Sequence, residues 1–211
     1  MKIAIVTDTD ASLPVALAQT NGIGLVPINV HFGQDCFESG VNIQDADLFE
    51  RIAKEGSLPT TSAPTPNQFI RAYQAAFDAG AEEIICFSVS SQISSTYQSA
   101  CLAREPFAGR TIHVVDTRSL SMGQGFMALE AAQVVQNGGS AAEAIAAAEA
   151  VCNRTVIFGS LATLRFLAMS GRVGKLAAGM ADLFEVKPIL TLQQEKLEML
   201  ERVRTQRKAW N

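Results

Sequence analysis

The segment Cys86–Ala100, CFSVSSQISSTYQSA, changes character twice along its length. It begins inside an apolar run that starts at Ile84, and such a run predicts a buried strand. A loop rich in hydroxyl groups follows, and Ser95 and Gln98 then stand at the spacing of a capping box, which predicts the start of a helix. The free backbone amides at a helix start can bind a carboxylate or a phosphate. The segment therefore predicts a strand, a polar loop and a helix, with a candidate anion site at the loop.

A second hydroxyl-rich stretch has the same arrangement. Thr60-Thr61-Ser62-Ala63-Pro64 precedes Thr65-Pro66-Asn67-Gln68, which is another capping box with proline at the first helical position. Serine and threonine are also the ordinary capping residues of helices that bind nothing. The two loops therefore indicate a binding site only if the rest of the chain supports one.

Strand and helix patterns alternate from Met1 to Asn153. Buried strands are predicted at Ile3–Thr7, Leu25–Phe32, Ile84–Val89 and Thr111–Thr117. Helices are predicted at Pro14–Thr20, Asp45–Glu55, Pro66–Ala79 and Ser140–Cys152. Two more are predicted, one from just after Ser95 to about Glu105 and a long one that follows the turn at Ser119–Gly125 and ends at Gln136. This order predicts an α/β fold in three layers, with right-handed crossovers, a parallel sheet and helices on both faces.

Three polar loops follow strands of this predicted sheet. They begin near Asp8, Ser90 and Thr117. The carboxyl ends of parallel strands share one edge of the sheet, and ligands bind outside that edge. We therefore expect the functional site to lie among these loops.

The pattern becomes less regular after Asn153, which is the only candidate domain boundary. We predict a first α/β domain at 1–153 and a smaller second α/β domain at 154–211. The second domain has predicted strands at Val156–Ser160 and Lys187–Leu192, with a short helix and a helical pattern at Lys175–Phe184 between them. The apolar residues of the tail favour a helix by spacing and propensity; they are Leu197, Leu200 and Val203.

Composition excludes several classes of protein. The chain of 211 residues is 48% apolar and 18% charged, so it can form a substantial core. A net charge of −4 without a basic run before the tail argues against nucleic acid as a main partner. No apolar stretch reaches the roughly 18 residues of a membrane span, and the N-terminus enters a strand at once instead of a signal peptide. We expect a cytoplasmic protein.

The cysteines and histidines do not indicate a metal site. The four cysteines, none in a C-x-x-C pair, are read as reduced packing residues. His31 and His113 lie within apolar strand runs, and neither has a neighbouring ligand residue at zinc spacing. No metal or other cofactor is expected.

The sequence suggests two enzyme hypotheses, and each lacks residues that its chemistry needs. Asp8 and Asp10 after the first strand are typical of haloacid-dehalogenase-type phosphatases, which use Mg²⁺, but the later acidic pair of that chemistry is missing and Asp116 stands alone. The alternative role of Asp8 and Asp10 is to order their loop by hydrogen bonds to the backbone. A serine hydrolase would need a G-x-S-x-G elbow and a histidine in a loop, and the sequence offers neither.

A third hypothesis, a carrier protein, needs no catalytic base. Hydroxyl groups and helix starts would hold the acidic head group of the carried ligand, while apolar residues line a cavity for its tail.

An ordered set of short motifs supports this third hypothesis. The motifs, in order, are Val6-Thr7-Asp8, Asp10–Pro14, Val26-Pro27, Pro59–Pro64, Ser90–Ala100, Val115-Asp116-Thr117, Ser121-x-Gly123-x-Gly125, Gly171-Arg172-Val173, Lys187–Leu190 and Val203-Arg204-Thr205. By this set the chain resembles the DegV family of bacterial fatty-acid-binding proteins over Ile5–Lys208. Each motif is weak alone, whereas the ordered set is specific.

The resemblance implies a two-domain carrier without catalysis of its own, which holds one long-chain fatty acid, such as palmitate, between its domains. The residues that it places at the carboxylate are Thr61, Ser62, Ser91, Ser94 and Ser95, with backbone amides near Ser95 and Thr96. It further implies that a separate ATP-dependent fatty acid kinase converts the bound acid to an acyl phosphate for phospholipid synthesis. Arg172 is a candidate for docking that kinase, and a structural ion pair or helix C-cap is an equal alternative.

The sequence also departs from the family pattern. Ser95 and Ser170 stand where the family has glycine, and the chain stops soon after Thr205, where family members continue. The second domain would then be incomplete, and an exposed sheet edge could pair with a second copy of the chain. The resemblance recasts Lys187–Leu192 and Leu197–Thr205 as the two strands of a hairpin. A shortened family member that serves only as an interaction module is the remaining alternative.

Overall fold

A computed structural model describes residues 2–172, 187–193, 195–203 and 205–209. The chain divides into two compact units, Met1–Arg154 and Thr155–Asn211. The helix predicted at Lys175–Phe184 lies outside the described residues, as do Val173 and Arg204 of the family motifs.

The first unit contains seven strands and six α-helices among its described residues. The strands are β1 Ile3–Asp8, β2 Ile23–Val26, β3 Asn29–Phe32, β4 Asp35–Glu38, β5 Thr60–Ser62, β6 Glu83–Ser88 and β7 Thr111–Asp116. The helices are α1 Val15–Thr20, α2 Asp45–Glu55, α3 Pro66–Asp78, α4 Thr96–Leu102, α5 Met122–Gln136 and α6 Ala141–Arg154. Single 3₁₀ turns occur at Thr9–Ala11 and Glu105–Phe107.

The central sheet is parallel and has the strand order β2-β1-β6-β7. One face packs against α5 and α6, mainly through alanines that let these helices approach closely. The other face packs against α3 and α4, where Phe69, Tyr73 and Phe77 are buried. Each such aromatic side chain stabilises the fold by about 1.5–3 kcal/mol. The predicted α/β fold with helices on both faces of a parallel sheet is therefore confirmed.

The strand predicted at Leu25–Phe32 is in fact two strands in two sheets. β2 ends at Val26 in the central sheet, and β3 belongs to a small antiparallel sheet of order β4-β3-β5. Pro27 separates them because proline has no N–H group to continue a strand ladder. The prediction of a loop at Thr60–Ser62 is also wrong, because these residues form β5 on the edge of the small sheet.

The helix predicted at Asp45–Glu55 is confirmed with the same bounds. Gly56 ends it, with a φ of 65° and its N–H donating to the carbonyl of Ile52. Leu48 and Ile52 pack on the small sheet, but Phe49 is 66% exposed and does not share their apolar face. Phe49 is rotated by about 100° from Leu48, which places it toward solvent.

The second unit has an antiparallel sheet of order β10-β9-β8 in its described part. Its elements are β8 Phe158–Ser160, α7 Arg165–Met169, β9 Lys187–Gln193, β10 Lys196–Val203 and α8 Gln206–Ala209. The hairpin expected from the family resemblance is confirmed, and the helix favoured by spacing in the tail is wrong. Glu195 makes the turn between the two strands with a φ of 65°. No helix in the described ranges is long and apolar enough to cross a membrane.

Candidate functional site

The carboxyl edge of the central sheet is organised around Asp8, the last residue of β1. Its Oδ2 accepts hydrogen bonds from the N–H of Val89 at 3.1 Å and from Ser88 Oγ at 3.3 Å, and its Oδ1 accepts from the N–H of Asp10 at 3.0 Å. Burial, together with the charge of Asp10, raises the pKa of Asp8 from 3.8 to about 7. Asp8 thus ties the first polar loop to the loop that follows β6.

This geometry favours the hydrogen-bonding interpretation of Asp8 over the phosphatase hypothesis. A phosphatase nucleophile must reach its substrate, whereas Asp8 is fully buried and committed to three internal donors. In the part of the chain that the structure describes, no three His, Cys, Asp or Glu side chains are grouped to hold a metal ion. His113 instead lies 3.1 Å from Glu83, on the neighbouring strand.

The loop that follows β7 holds the Ser90 loop from its other side. Asp116 accepts a hydrogen bond from the N–H of Ser91 at 3.2 Å, and Thr117 Oγ1 donates to the carbonyl of Ser88 at 2.8 Å. The N–H of Ser90 donates to the carbonyl of Ser119 at 2.9 Å. The three loops predicted to share the carboxyl edge are therefore hydrogen-bonded to one another.

The start of α4 differs from the predicted capping box. Ser95 is the N-cap residue, but its backbone (φ −77°, ψ 6°) is not extended, and its side chain makes no capping bond. Ser94 caps the helix instead, because its Oγ accepts from the N–H of Thr96 at 3.3 Å and lies 2.7 Å from Thr96 Oγ1. The helix is also shorter than predicted, since it ends at Leu102.

The hydroxyl groups of this loop retain capacity for an external acceptor. Ser91 and Ser94 are half-buried, and Ser95 is exposed. A bond between two hydroxyl groups uses one of their two protons, so the pair of Ser94 and Thr96 keeps one proton to donate elsewhere. The loop can thus supply several neutral donors to a carboxylate.

The second hydroxyl-rich stretch lies on the edge strand β5, where Thr61 and Ser62 are both exposed. Thr61 pairs with Val30, and Ser62 pairs with Asn29. Directly paired residues share a face of a sheet and successive residues alternate, so Thr61 and Ser62 point to opposite faces. Ser62 Oγ lies 2.9 Å from Nε2 of His31.

The capping box at the start of α3 is confirmed. Thr65 Oγ1 accepts from the N–H of Gln68 at 3.4 Å, and Gln68 Oε1 accepts from the N–H of Thr65 at 2.8 Å. Gln68 Nε2 also donates to Asn29 Oδ1 at 3.0 Å and to the carbonyl of Pro27 at 3.1 Å. One buried side chain thus caps the helix and fixes it to β3.

The starts of α3 and α4 lie toward the same edge of the sheet. α3 ends just before β6 begins, and α4 begins after β6 ends, so both helices start at the carboxyl edge. They are neighbours on one face, where Tyr73 Oη donates to the carbonyl of Ala100 at 3.2 Å. The fold therefore brings both hydroxyl-rich stretches to one edge and one face of the first unit.

Arg172 belongs to the second unit, where it is exposed. Its Nη1 donates to the carbonyl of Ser170 at 2.8 Å, and its N–H donates to Ser170 Oγ at 3.3 Å. Gly171 between them has a φ of 75°. Arg172 thus closes the turn after α7 through short-range hydrogen bonds.

Sequence reasoning missed two polar residues near the site. His31 is a site candidate only once β3 and β5 are known to pair, because it is 31 positions from Ser62. Gln124 is fully buried on α5, where its Nε2 donates to Thr7 Oγ1 at 2.9 Å. A polar residue between two glycines in the first turn of a largely apolar helix was the available signal for Gln124.

A family profile, a curated relative and solved structures all match this chain to the same family. The DegV family profile matches residues 2–211. A DegV domain-containing protein of Streptomyces coelicolor is 36% identical over 207 residues, which cover 98% of this chain and 73% of that protein.

Solved structures of the same family are also similar. A fatty-acid-binding DegV family protein from Thermus thermophilus superposes with a TM-score of 0.88 at 35% identity, over 99% of this chain and 74% of the other. DegV of Bacillus subtilis, a fatty acid binding protein, gives a TM-score of 0.88 at 29% identity, over 100% of this chain and 74% of the other. The present chain belongs to the DegV family.

Proposed function

We propose that this protein binds a long-chain fatty acid, such as palmitate, through its carboxylate and acts as a carrier without catalysis of its own. The observation that carries the proposal is the pair of hydroxyl-rich stretches at the starts of α3 and α4, at one edge of the sheet. Relatives that bind fatty acids have the same fold over nearly the whole chain, which supports this assignment.

The proposed donors to the carboxylate come from both stretches. They are Ser62 on the His31 face of β5 and Ser91, Ser94 and Ser95 after β6, with Thr61, on the opposite face of β5, as a further candidate. Hydroxyl groups suit a carrier because they are neutral donors that hold an ionised carboxylate by charge-assisted hydrogen bonds, each contributing about 1.5–3 kcal/mol at most. Several such bonds can retain the acid, while the absence of a fixed counter-charge in the set favours its release to a partner.

The partner in this proposal is a fatty acid kinase, which would use ATP to convert the held acid to an acyl phosphate. Arg172 is the candidate docking residue because its guanidinium is exposed at a turn held by short-range hydrogen bonds. The carrier needs no cofactor for this role. A second proposed contact is homodimerisation through β10, an edge strand that pairs only with β9 within the described residues.

Mass spectrometry of the purified protein tests the carrier function directly. We expect native spectra to show a bound mass of a fatty acid near one per chain, and organic extraction to release that acid. A protein that is empty, and that also fails to bind added palmitate in calorimetry, would contradict the proposal.

A reconstituted reaction tests the partner role. With fatty acid kinase and ATP, the loaded carrier should yield acyl phosphate, and Arg172→Ala should lower the rate without changing the affinity for the acid. Arg207→Ala, at another exposed arginine of the same unit, is the matched control. Equal rates for wild-type protein and Arg172→Ala would remove Arg172 from the kinase contact.

A further inference from the structure

The contact between His31 and Ser62 follows from the register of the small sheet. His31 pairs with Thr60 on one side and with Cys36 on the other. Ser62 lies two residues beyond Thr60 on the same strand and therefore on the same face. The imidazole reaches diagonally across the strands, so that its Nε2 lies 2.9 Å from Ser62 Oγ.

Only one direction of this hydrogen bond is compatible with binding an anion. An ionised carboxylate has acceptor oxygens alone, so Ser62 must donate its single hydroxyl proton to it. If His31 Nε2 accepted that proton, Ser62 would present only lone pairs to the carboxylate. If Nε2 carries a proton and donates, the Ser62 proton remains free for the ligand.

We propose that His31 is a positioning residue of the head-group site, which donates from Nε2 to Ser62 Oγ and so directs the Ser62 hydroxyl proton toward the carboxylate. This inference rests on the proposed fatty-acid binding. It adds a criterion of specificity, because a fatty alcohol can donate as well as accept and gains little from a serine that is oriented as a donor. His31 should therefore favour the acid over an alcohol of the same chain length.

Binding measurements on five variants separate this role from a structural one. His31→Leu should weaken palmitate binding by roughly tenfold, the effect of one exposed hydrogen bond to a charged group, and should leave hexadecanol binding unchanged. His31→Gln should restore most of the affinity, because its side-chain amide can donate from a similar position. In the Ser62→Ala background, His31→Leu should have no further effect. His113→Leu, at the other histidine of the chain, is the matched control and should bind as wild type.

Each outcome bears on a different proposal. If wild-type protein binds neither ligand, the fatty-acid function fails, and the positioning role fails with it. If wild-type protein binds palmitate and His31→Leu binds it equally well, the positioning role alone is overturned. Equal losses for palmitate and hexadecanol would also overturn it, since a merely structural defect weakens both.

Nitrogen-15 NMR of the imidazole rings gives a readout that does not depend on affinity. The chain has two histidines, and the spectrum of His113→Leu identifies the signals of His31. We expect the Nε2–H tautomer of His31 when palmitate is bound. The Nδ1–H tautomer in the loaded protein would overturn the proposal.

Discussion

The carboxylate of Asp8 accepts a hydrogen bond from the backbone N–H of Val89, across two parallel strands of the central sheet. This bond joins the loop after β1 to the loop after β6, although 81 positions separate the two residues. The position of the candidate head-group loop therefore depends on a carboxyl group buried beneath it.

The ionisation of Asp8 should make stability depend on pH. Burial raises its pKa from 3.8 to about 7, so between these values the folded protein keeps a proton that the unfolded chain loses. Protonated Asp8 thus contributes to the free energy of unfolding in full below pH 3.8. This contribution, about 4 kcal/mol at most, is lost as the pH rises to about 7. Urea denaturation of wild-type protein and Asp8→Asn over this interval measures the effect.

Asp8→Asn removes the titrating group but keeps an oxygen that can accept from Val89. The unfolding free energy of wild-type protein, minus that of Asp8→Asn, should therefore fall as the pH rises through the interval. Glu143, whose hydrogen bonds with Ser140 lower its pKa, offers a control carboxyl group on α6. If the difference between wild type and Asp8→Asn did not vary with pH, the proposed ionisation would be wrong.

The two hydroxyl-rich stretches should act together on the ligand. Ser62→Ala combined with Ser94→Ala should weaken fatty-acid binding, by about 3–6 kcal/mol at most and by less where water replaces the lost bonds. Isothermal titration with palmitate measures the change, and Ser57→Ala, at an exposed serine outside both stretches, is the control. Unchanged affinity in the double variant would remove both serines from the site.

Side chains alternate between the two faces of the small sheet along β5, so its two hydroxyl residues should contribute unequally to binding. Thr61 and Ser62 point to opposite faces of the small sheet, and Ser62 shares its face with His31. Ser62→Ala should therefore weaken palmitate binding more than Thr61→Ala does in the same titration. The reverse order would mean that the ligand approaches the Val30 face of the sheet.

Gly125 permits a close approach between α5 and the loop after β1. A Cβ at this position would lie 2.7 Å from the carbonyl oxygen of Ala11 and 3.2 Å from the side chain of Leu13. Gly125→Ala should destabilise the protein. Overpacking lowers the free energy of unfolding by about 1–3 kcal/mol, whereas the higher helix propensity of alanine raises it by about 1 kcal/mol. Thermal unfolding measures the difference, with Gly159→Ala as the control because a Cβ there meets nothing within 4 Å. Equal melting temperatures for the two variants would contradict this account.

The cysteines should differ in reactivity. Cys36 is exposed, whereas Cys86 is fully buried, and burial raises the pKa of the Cys86 thiol to about 12. Because the thiolate is the reactive form, iodoacetamide should modify Cys36 first and Cys86 last in the native protein. Peptide mass spectrometry over time measures the order, and Cys36→Ser should remove the fastest site. Early modification of Cys86 would mean that the strand β6 opens readily.

The parts of the fold that were predicted correctly have local causes. α2, α3 and α6 are bounded by capping boxes or by a glycine in the left-handed region, and these signals lie within a few residues of each helix end. The parallel order of β1, β6 and β7 follows from the alternation of strands and helices. Residues that act through their neighbours in sequence are therefore readable from sequence.

The errors arise where distant residues decide the structure. Thr60–Ser62 became a strand because β3 was available to pair with it, and the hairpin in the second unit overrode the helical spacing of its residues. Ser95 has the right sequence position for a cap, but the side-chain oxygen that accepts from the helix start belongs to Ser94. The role of His31 was invisible for the same reason, since nothing local connects it to Ser62.

The arrangement of exposed and buried polar groups has an evolutionary consequence. The groups that hold the loops in place are fully buried, as Asp8, Ser88 and Thr117 are, whereas Ser62 and Ser95 are exposed. Exposed substitutions usually change stability by less than about 0.5 kcal/mol, while buried polar substitutions cost several times more. Mutation can therefore change the exposed hydroxyl groups at this edge at little cost in stability, while the buried scaffold beneath them tolerates few changes. Members of a lineage with this layout can acquire new ligand preferences without first acquiring extra stability.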